Sequence, residues 1–229
     1  MTTTAGARLR SLISRANPEI MVVEEAAEVL EGHILACMPP SVQHLLLIGD
    51  HQQLRPKTES FDLRRKKRID ISLFERLILL GYPYVTLTTQ HRMRPEIADL
   101  LRPTIYRELY DHPSVSEYPP LAGVARNLVF FGHTHPESGG DAQSMSKHNK
   151  WEATMVAKLG RYLMRNKYDA EHVTILTTYR GQVKQIRREI RNLVPSFGLD
   201  RVRVSTVDDF QGEENRIIIL SLVRSDKAG

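Results

Sequence analysis

Apolar residues fall into short runs separated by polar turns. β-prone runs occur at Ile20 to Val23, Leu45 to Ile48, Tyr84 to Leu87, Leu128 to Phe131, Val173 to Leu176, Val202 to Val204 and Ile217 to Leu222, and each is predicted to be a strand. Between several of them the spacing changes to the helical period. Met155, Val156, Leu159, Tyr162 and Leu163 share one helix face, as do Val183, Ile186, Ile190 and Leu193. Ser72 and Glu75 form a capping box, predicting a helix over 72–80 that stops at Gly81 before Pro83. Strands apolar on both faces, alternating with amphipathic helices, predict the α/β class with parallel sheets covered by helices.

Two stretches depart from this rhythm. Asp111 to Lys150 is rich in Pro, Gly, Ser and His around one strand and reads as an irregular connection or insertion. The run Arg64 to Arg68 (RRKKR) is placed in a loop before the capped helix, either as a solvated charge cluster or as a nucleic-acid contact. The 229 residues, 41% apolar and 26% charged, suffice for one large or two modest domains and exclude a disordered chain. No apolar run approaches the roughly 18–20 residues of a membrane-spanning helix. An excess of 32 Lys and Arg over 27 Asp and Glu favours a polyanionic partner. The single cysteine, Cys37, excludes an internal disulfide framework and fits a reducing compartment, cytoplasm or nucleus.

Candidate chemistry gathers just after the strands, where α/β sheets bind ligands. The first strand ends in Glu24 and Glu25. Adjacent acids there can divide the work, one holding hydrated Mg²⁺ and the other polarising a water for attack on phosphate; alternatively they open a helix. The second strand runs into Gly49, Asp50, His51, Gln52 and Gln53, where an amide can sense a phosphate or simply sit in a turn. The segment 86–97 (TLTTQHRMRPEI) places Gln90, His91 and Arg92 before a helix starting at Pro95. An arginine there can stabilise a transferring phosphoryl group, or be a surface residue. TTYRGQ (Thr177 to Gln182) opens a helix carrying Lys184, Arg187, Arg188 and Arg191, which with Tyr179 suits a single-stranded backbone; a solvated face is the alternative. Ser205, Thr206, Asp208, Gln211, Gly212 and Glu214 precede the last strand.

In chain order, VVEEAAE, GDHQQLRP, SLFERL, TQHRMRPEIA, TTYRGQ and VDDFQGEENRIIILSLVRS resemble the sequential motifs of superfamily 1 helicases of the nonsense-mediated-decay type. EEAAEVLE, TIYRELYDHPSV and ILTTYRGQ look closer still to NFX-type zinc-finger helicases linked to RNA silencing. The resemblance implies RecA-like P-loop NTPase domains: the later part of a first domain over 1–90 and most of a second over 91–229. It implies ATP and Mg²⁺ as cofactors and single-stranded nucleic acid, RNA before DNA, as partner. Glu24 takes the metal-binding place and Glu25 the catalytic place; the family's usual first acid is Asp, so Glu24 is a departure. Gln53 then contacts the γ-phosphate and Arg92 acts as an arginine finger. Gln90 and His91 flank the nucleotide, and Gly212 and Glu214 meet phosphate and ribose. Arg55, Pro56, Tyr179, Arg180 and Thr206 fall in motifs that usually face nucleic acid.

The phosphate-cradling pattern G-x-x-x-x-G-K-[ST] occurs nowhere in the chain, which is expected to weaken ATP binding badly. The final arginine motif of such enzymes is also missing, and MTTTAGA at the start resembles an internal strand and loop. These features suggest a piece of a longer helicase, an RNA helicase in the first instance, inactive by itself. The alternatives are a catalytically dead RNA-binding or adaptor module, or a DNA helicase.

Overall fold

The computed structural model describes residues 10–58, 60–138 and 146–225; the opening MTTTAGA segment lies outside them. The chain divides into two compact units, Met1–Val115 and Ser116–Gly229.

In the first unit, helix α1 (Arg10–Ala16) precedes β1 (Ile20–Val23), α2 (Glu31–Cys37) and β2 (His44–Leu47). β1 and β2 pair in parallel, from Ile20 opposite His44 to Val23 opposite Leu47. Buried Ala26, Ala27, Ile34 and Leu73 pack in this unit, whereas Ile20, Val22 and Leu46 remain exposed. The sheet is thus not covered on both faces among the described residues. Helix α3 (Phe61–Lys67) contains most of the basic run expected in a loop. The correction has a local cause: the Ser60 hydroxyl accepts from the Leu63 amide and caps the helix, and its basic residues crowd the last turn, where the helix dipole favours cations. Helix α4 (Leu73–Leu79) is capped as predicted, with Ser72 Oγ accepting from the Glu75 amide at 3.0 Å. Two-residue strand β3 (Thr89–Gln90), helix α5 (Pro95–Leu101, Pro95 in the first turn) and strand β4 (Tyr110–Asp111) complete the unit, with β3 and β4 parallel.

The second unit carries the larger core. Helix α6 (Lys150–Arg165), strand β5 (Val173–Thr177), helix α7 (Arg180–Asn192), strand β6 (Arg203–Thr206) and strand β7 (Ile217–Ser221) build a parallel sheet ordered β6-β5-β7. β5 is buried along its whole length, as a central parallel strand should be. Ile175, Ile219 and Val204 pack with Ala157, Leu163 and Ile186 of the two helices. At an order-of-magnitude 1.5–3 kcal/mol per large buried aliphatic side chain, this cluster dominates the unit's stabilisation.

The runs Tyr84 to Leu87 and Leu128 to Phe131 are not strands. Val85 and Leu87 are each 90% exposed and Phe130 82%. Their composition is β-prone, but a strand persists only where a neighbour takes its backbone hydrogen bonds, and no ladder forms here among the described residues.

Candidate nucleotide and nucleic-acid site

The parallel register of β1 and β2 brings their carboxyl ends together. The Ile48 amide donates to Val23 O at 2.9 Å and the Ala26 amide to Ile48 O at 2.8 Å. A Cβ on Gly49 would lie 2.9 Å from the Ala27 nitrogen and 3.0 Å from that of Ala26. Only glycine therefore lets the second strand exit so closely against the turn that follows Glu24 and Glu25. Both acids are exposed, and Glu25 adopts the left-handed conformation, φ 50° and ψ 39°. For a non-glycine residue this is strained backbone, of the kind held in place at functional sites. Downstream, Glu28 is half-buried; burial, followed by the nearby Glu25 charge, raises its pKa.

Behind Gly49, Asp50 organises the next turn. Its Oδ1 accepts from the Gln52 amide at 2.9 Å and its Oδ2 from Gln53 Nε2 at 2.8 Å. Tyr106, from the segment after α5, donates its hydroxyl to the same Oδ2 at 2.6 Å. The sequence marks Asp50 as a polar residue after the strand but gives no sign of Tyr106 as its partner. Asp50 stood in the GDHQQ turn, but nothing in residue spacing announces a partner 56 positions away.

The arginine loop is tied from within. Gln90 Oε1 accepts from the Arg92 amide at 2.9 Å and the Met93 amide at 2.7 Å, while Nε2 donates to Met93 O and to Asp111 Oδ1, both at 2.7 Å. A side-chain amide has two donors and two lone pairs, and all four are engaged. In this structure Gln90, expected to flank the nucleotide, holds the arginine loop in shape. Asp111 in turn meets Arg102 Nη2 at 2.6 Å; the Gln90 hydrogen bond and then Arg102 lower its pKa. Arg92 is exposed, and His91 stacks on His112 with centroids 4.1 Å apart.

Of the residues expected to face nucleic acid, Arg55 pairs with Glu75 at 2.5 Å and lies 3.8 Å from Asp70. Pro56 is buried, which corrects its expected surface role. Thr206 is buried too, its hydroxyl accepting from the Asp209 amide at 3.2 Å; its place is in the turn after β6. Tyr179 stands at the N-cap of α7, half-buried, with exposed Arg180 beginning the helix. Gly212 is exposed in a left-handed turn, φ 75°, and Glu214 is exposed beyond it.

The remainder of TTYRGQ is structural. Gln182, fully buried, accepts from the Asn149 amide at 2.8 Å and donates to Asn149 O at 3.1 Å and Ser221 Oγ at 2.9 Å. Ser221 in turn donates to Glu152. The starts of α6 and α7 are thereby tied to the end of β7. A Cβ on Gly181 would fall 2.8 Å from Ser146 O.

Glu24 belongs to no preformed ligand cluster. Among the described residues the only grouping of that kind is Asp169, Glu171 and His172, in the second unit. One exposed carboxylate nevertheless suits Mg²⁺, which retains most of its waters and takes few protein ligands. No helix among the described residues is long and apolar enough to cross a membrane.

Parallel strands with acids and amides after their carboxyl ends define the α/β class, and the family comparisons agree. Models described as AAA domains match residues 69–229 and residues 1–60. The chain belongs to this P-loop NTPase family, within the superfamily 1 helicases of the nonsense-mediated-decay group. It is similar to mouse "NFX1-type zinc finger-containing protein 1", 47% identical over 100% of this chain and 12% of that protein. It is also similar to the Schizosaccharomyces pombe "Helicase required for RNAi-mediated heterochromatin assembly 1", 38% identical over 99% of the chain and 22% of that protein. "Regulator of nonsense transcripts 1" of Caenorhabditis elegans is 29% identical over 93% of the chain and 21% of that protein. The chain thus spans only a fraction of these relatives' length.

Proposed function

We propose that these residues form part of the motor of an ATP-dependent helicase that moves along single-stranded RNA. The observation that carries the reading is the strained Glu25 after β1, in the turn whose Ala26 and Ala27 nitrogens lie against the Gly49 exit of β2. In this reading Glu24 holds Mg²⁺ and Glu25 accepts a proton from the water attacking the γ-phosphate. Gln53, oriented by Asp50 and Tyr106, hydrogen-bonds that phosphate, and Arg92 stabilises the charge that develops on it. His91, Gly212 and Glu214 flank the nucleotide. The motifs assign residues 1–90 to one RecA-like domain and 91–229 to the next, whereas the first compact unit of the structure runs on to Val115. The bound ATP-Mg²⁺ supplies the hydrolysable anhydride.

Exposed Arg180 and half-buried Tyr179, at the start of α7, present a cation and an aromatic ring to the backbone and bases of a strand. RNA is favoured over DNA because the RNA-interference-linked yeast helicase is 38% identical across nearly the whole chain. That similarity favours work in RNA silencing, and the likeness to the nematode regulator of nonsense transcripts favours RNA surveillance, with nucleus or cytoplasm as the proposed location. The test is Glu25→Gln in the protein that carries this chain: RNA-stimulated ATP turnover is expected to fall by about a hundredfold or more, with RNA affinity retained. Undiminished turnover overturns the assignment.

A further inference from the structure

Helix α7 runs from Tyr179 and Arg180, at the carboxyl end of β5, toward Asn192. Its 13 residues, at about 1.5 Å each, place its far end roughly 18 Å from Arg180. Beside the later turns a groove of about 420 Å³ opens against β6, lined by Arg187, Ile190, Arg191, Asp200, Val202 and Arg203.

Two of its guanidinium groups are fixed by the fold. Arg187 Nη2 donates to Val204 O at 3.0 Å. Arg203 pairs with Glu213 at 2.8 Å and lies over the Phe210 ring with its Cζ 5.0 Å from the centroid. The first contact also covers a carbonyl of β6, an edge strand, so an added peptide strand finds that position taken.

Arg188 and Arg191 are exposed and enter no ion pair among the described residues. Of the nearby acids, Glu213 pairs with Arg203, whereas Asp200 accepts from Ser196 at 2.7 Å and Glu189 from Gln185 at 2.8 Å. Lys184 and Arg188, and Arg187 and Arg191, repel at helical i,i+4 spacing. With Arg203 paired to Glu213, the groove offers phosphate oxygens Arg191 and the remaining N–H groups of Arg187, beside the apolar Ile190 and Val202.

We propose that this groove binds the phosphate backbone of an RNA strand several nucleotides beyond its contact with Tyr179 and Arg180, lengthening the footprint of the second unit. The proposal rests on the single-strand reading of those two residues. The intervening distance corresponds to about three to five nucleotides at roughly 3.4 Å or more each.

Fluorescence anisotropy on the 229-residue chain, with labelled oligouridylates of about 3 nucleotides, too short to reach from Arg180 to the groove, and about 20 nucleotides over a salt series, tests it. Arg187→Gln/Arg191→Gln is expected to weaken the longer RNA by about tenfold and reduce its log-affinity against log-salt slope by about 1.4, leaving the shorter RNA unchanged. Arg187→Lys/Arg191→Lys should keep most of that slope, separating lost phosphate contacts from misfolding. Tyr179→Ala/Arg180→Ala should weaken both lengths.

Equal loss for both RNAs in the glutamine variant, or no loss for the longer one, overturns the groove. So does unchanged RNA binding accompanied by lost binding of polyglutamate, which assigns the groove to an acidic protein. If the wild-type chain fails to bind the short RNA, the strand-start reading falls; a long RNA that still responds to the arginine pair then sustains the groove alone.

Discussion

The hydroxyl of Tyr106 and the side chain of Gln53 donate to one oxygen of Asp50, at 2.6 and 2.8 Å. A residue from the segment following α5 thus fixes the carboxylate that fixes the proposed phosphate-sensing amide. Burial, then the bond to Asp50, raises the Tyr106 pKa to about 12. A phenol with a raised pKa contributes stability fully present below its unfolded value of about 10 and lost as pH rises through the folded value. Tyr106→Phe is expected to cost about 1 kcal/mol in denaturant unfolding. It should also remove the component near 12 from the ultraviolet tyrosinate curve. Asp50→Asn should move that component only partway toward 10, because burial remains the larger cause.

Glu25 predicts a separation of stability from activity. Its left-handed backbone costs a non-glycine residue about 1 kcal/mol. Glu25→Gly should therefore raise the denaturation midpoint while abolishing turnover, whereas Glu25→Gln abolishes turnover without that gain. Gly49→Ala should do the opposite to stability. The new methyl meets backbone nitrogens at 2.9 and 3.0 Å, which cannot rotate away, and a loss of about 1–3 kcal/mol is expected by urea unfolding.

What the sequence revealed depended on how local the cause was. The Ser72 cap, the periodic faces of α6 and α7 and the fully apolar β5 are written in neighbouring residues, and the structure contains them. The carboxylate pair and the GDHQQ turn were visible as polar residues after apolar runs. Tyr106 on Asp50 and Gln182 on Asn149, by contrast, span 56 and 33 positions, and no periodicity encodes them. Motif position alone points Pro56 and Thr206 toward nucleic acid, and motif position does not register burial. The apolar run at 84–87 shows the complementary failure: strand propensity was read correctly, but strand formation needs a pairing partner.

Gln90 should behave as a structural clamp. Its hydrogen bond is the first cause of the lowered Asp111 pKa, ahead of Arg102. A lowered carboxylate pKa gives stability present above the unfolded value and lost as pH falls through the folded one. In a carboxyl-carbon NMR titration, Gln90→Ala should move Asp111 up toward 3.8. It should also release the Arg92 and Met93 amides to faster hydrogen exchange. If Asp111 instead responds only to Arg102→Ala, the clamp is wrongly placed.

Glu28 carries the reverse sign. Burial is the first cause of its raised pKa and the Glu25 charge the second, with Lys57 opposing, and its Oε1 is buried without a hydrogen-bond partner among the described residues. The fold therefore favours its protonated form. Its contribution to stability is fully present below the unfolded value of 4.5 and lost as pH rises through the folded one. Glu28→Gln, which keeps the shape and removes the charge, should raise stability at neutral pH and flatten the mildly acidic part of the stability–pH curve. Glu25→Gln should lower the Glu28 pKa only in part, since burial is untouched. Thermal unfolding of the three proteins across that range provides the measurement, and a Glu28→Gln curve parallel to wild type refutes the burial of this carboxylate beside the Glu25 turn.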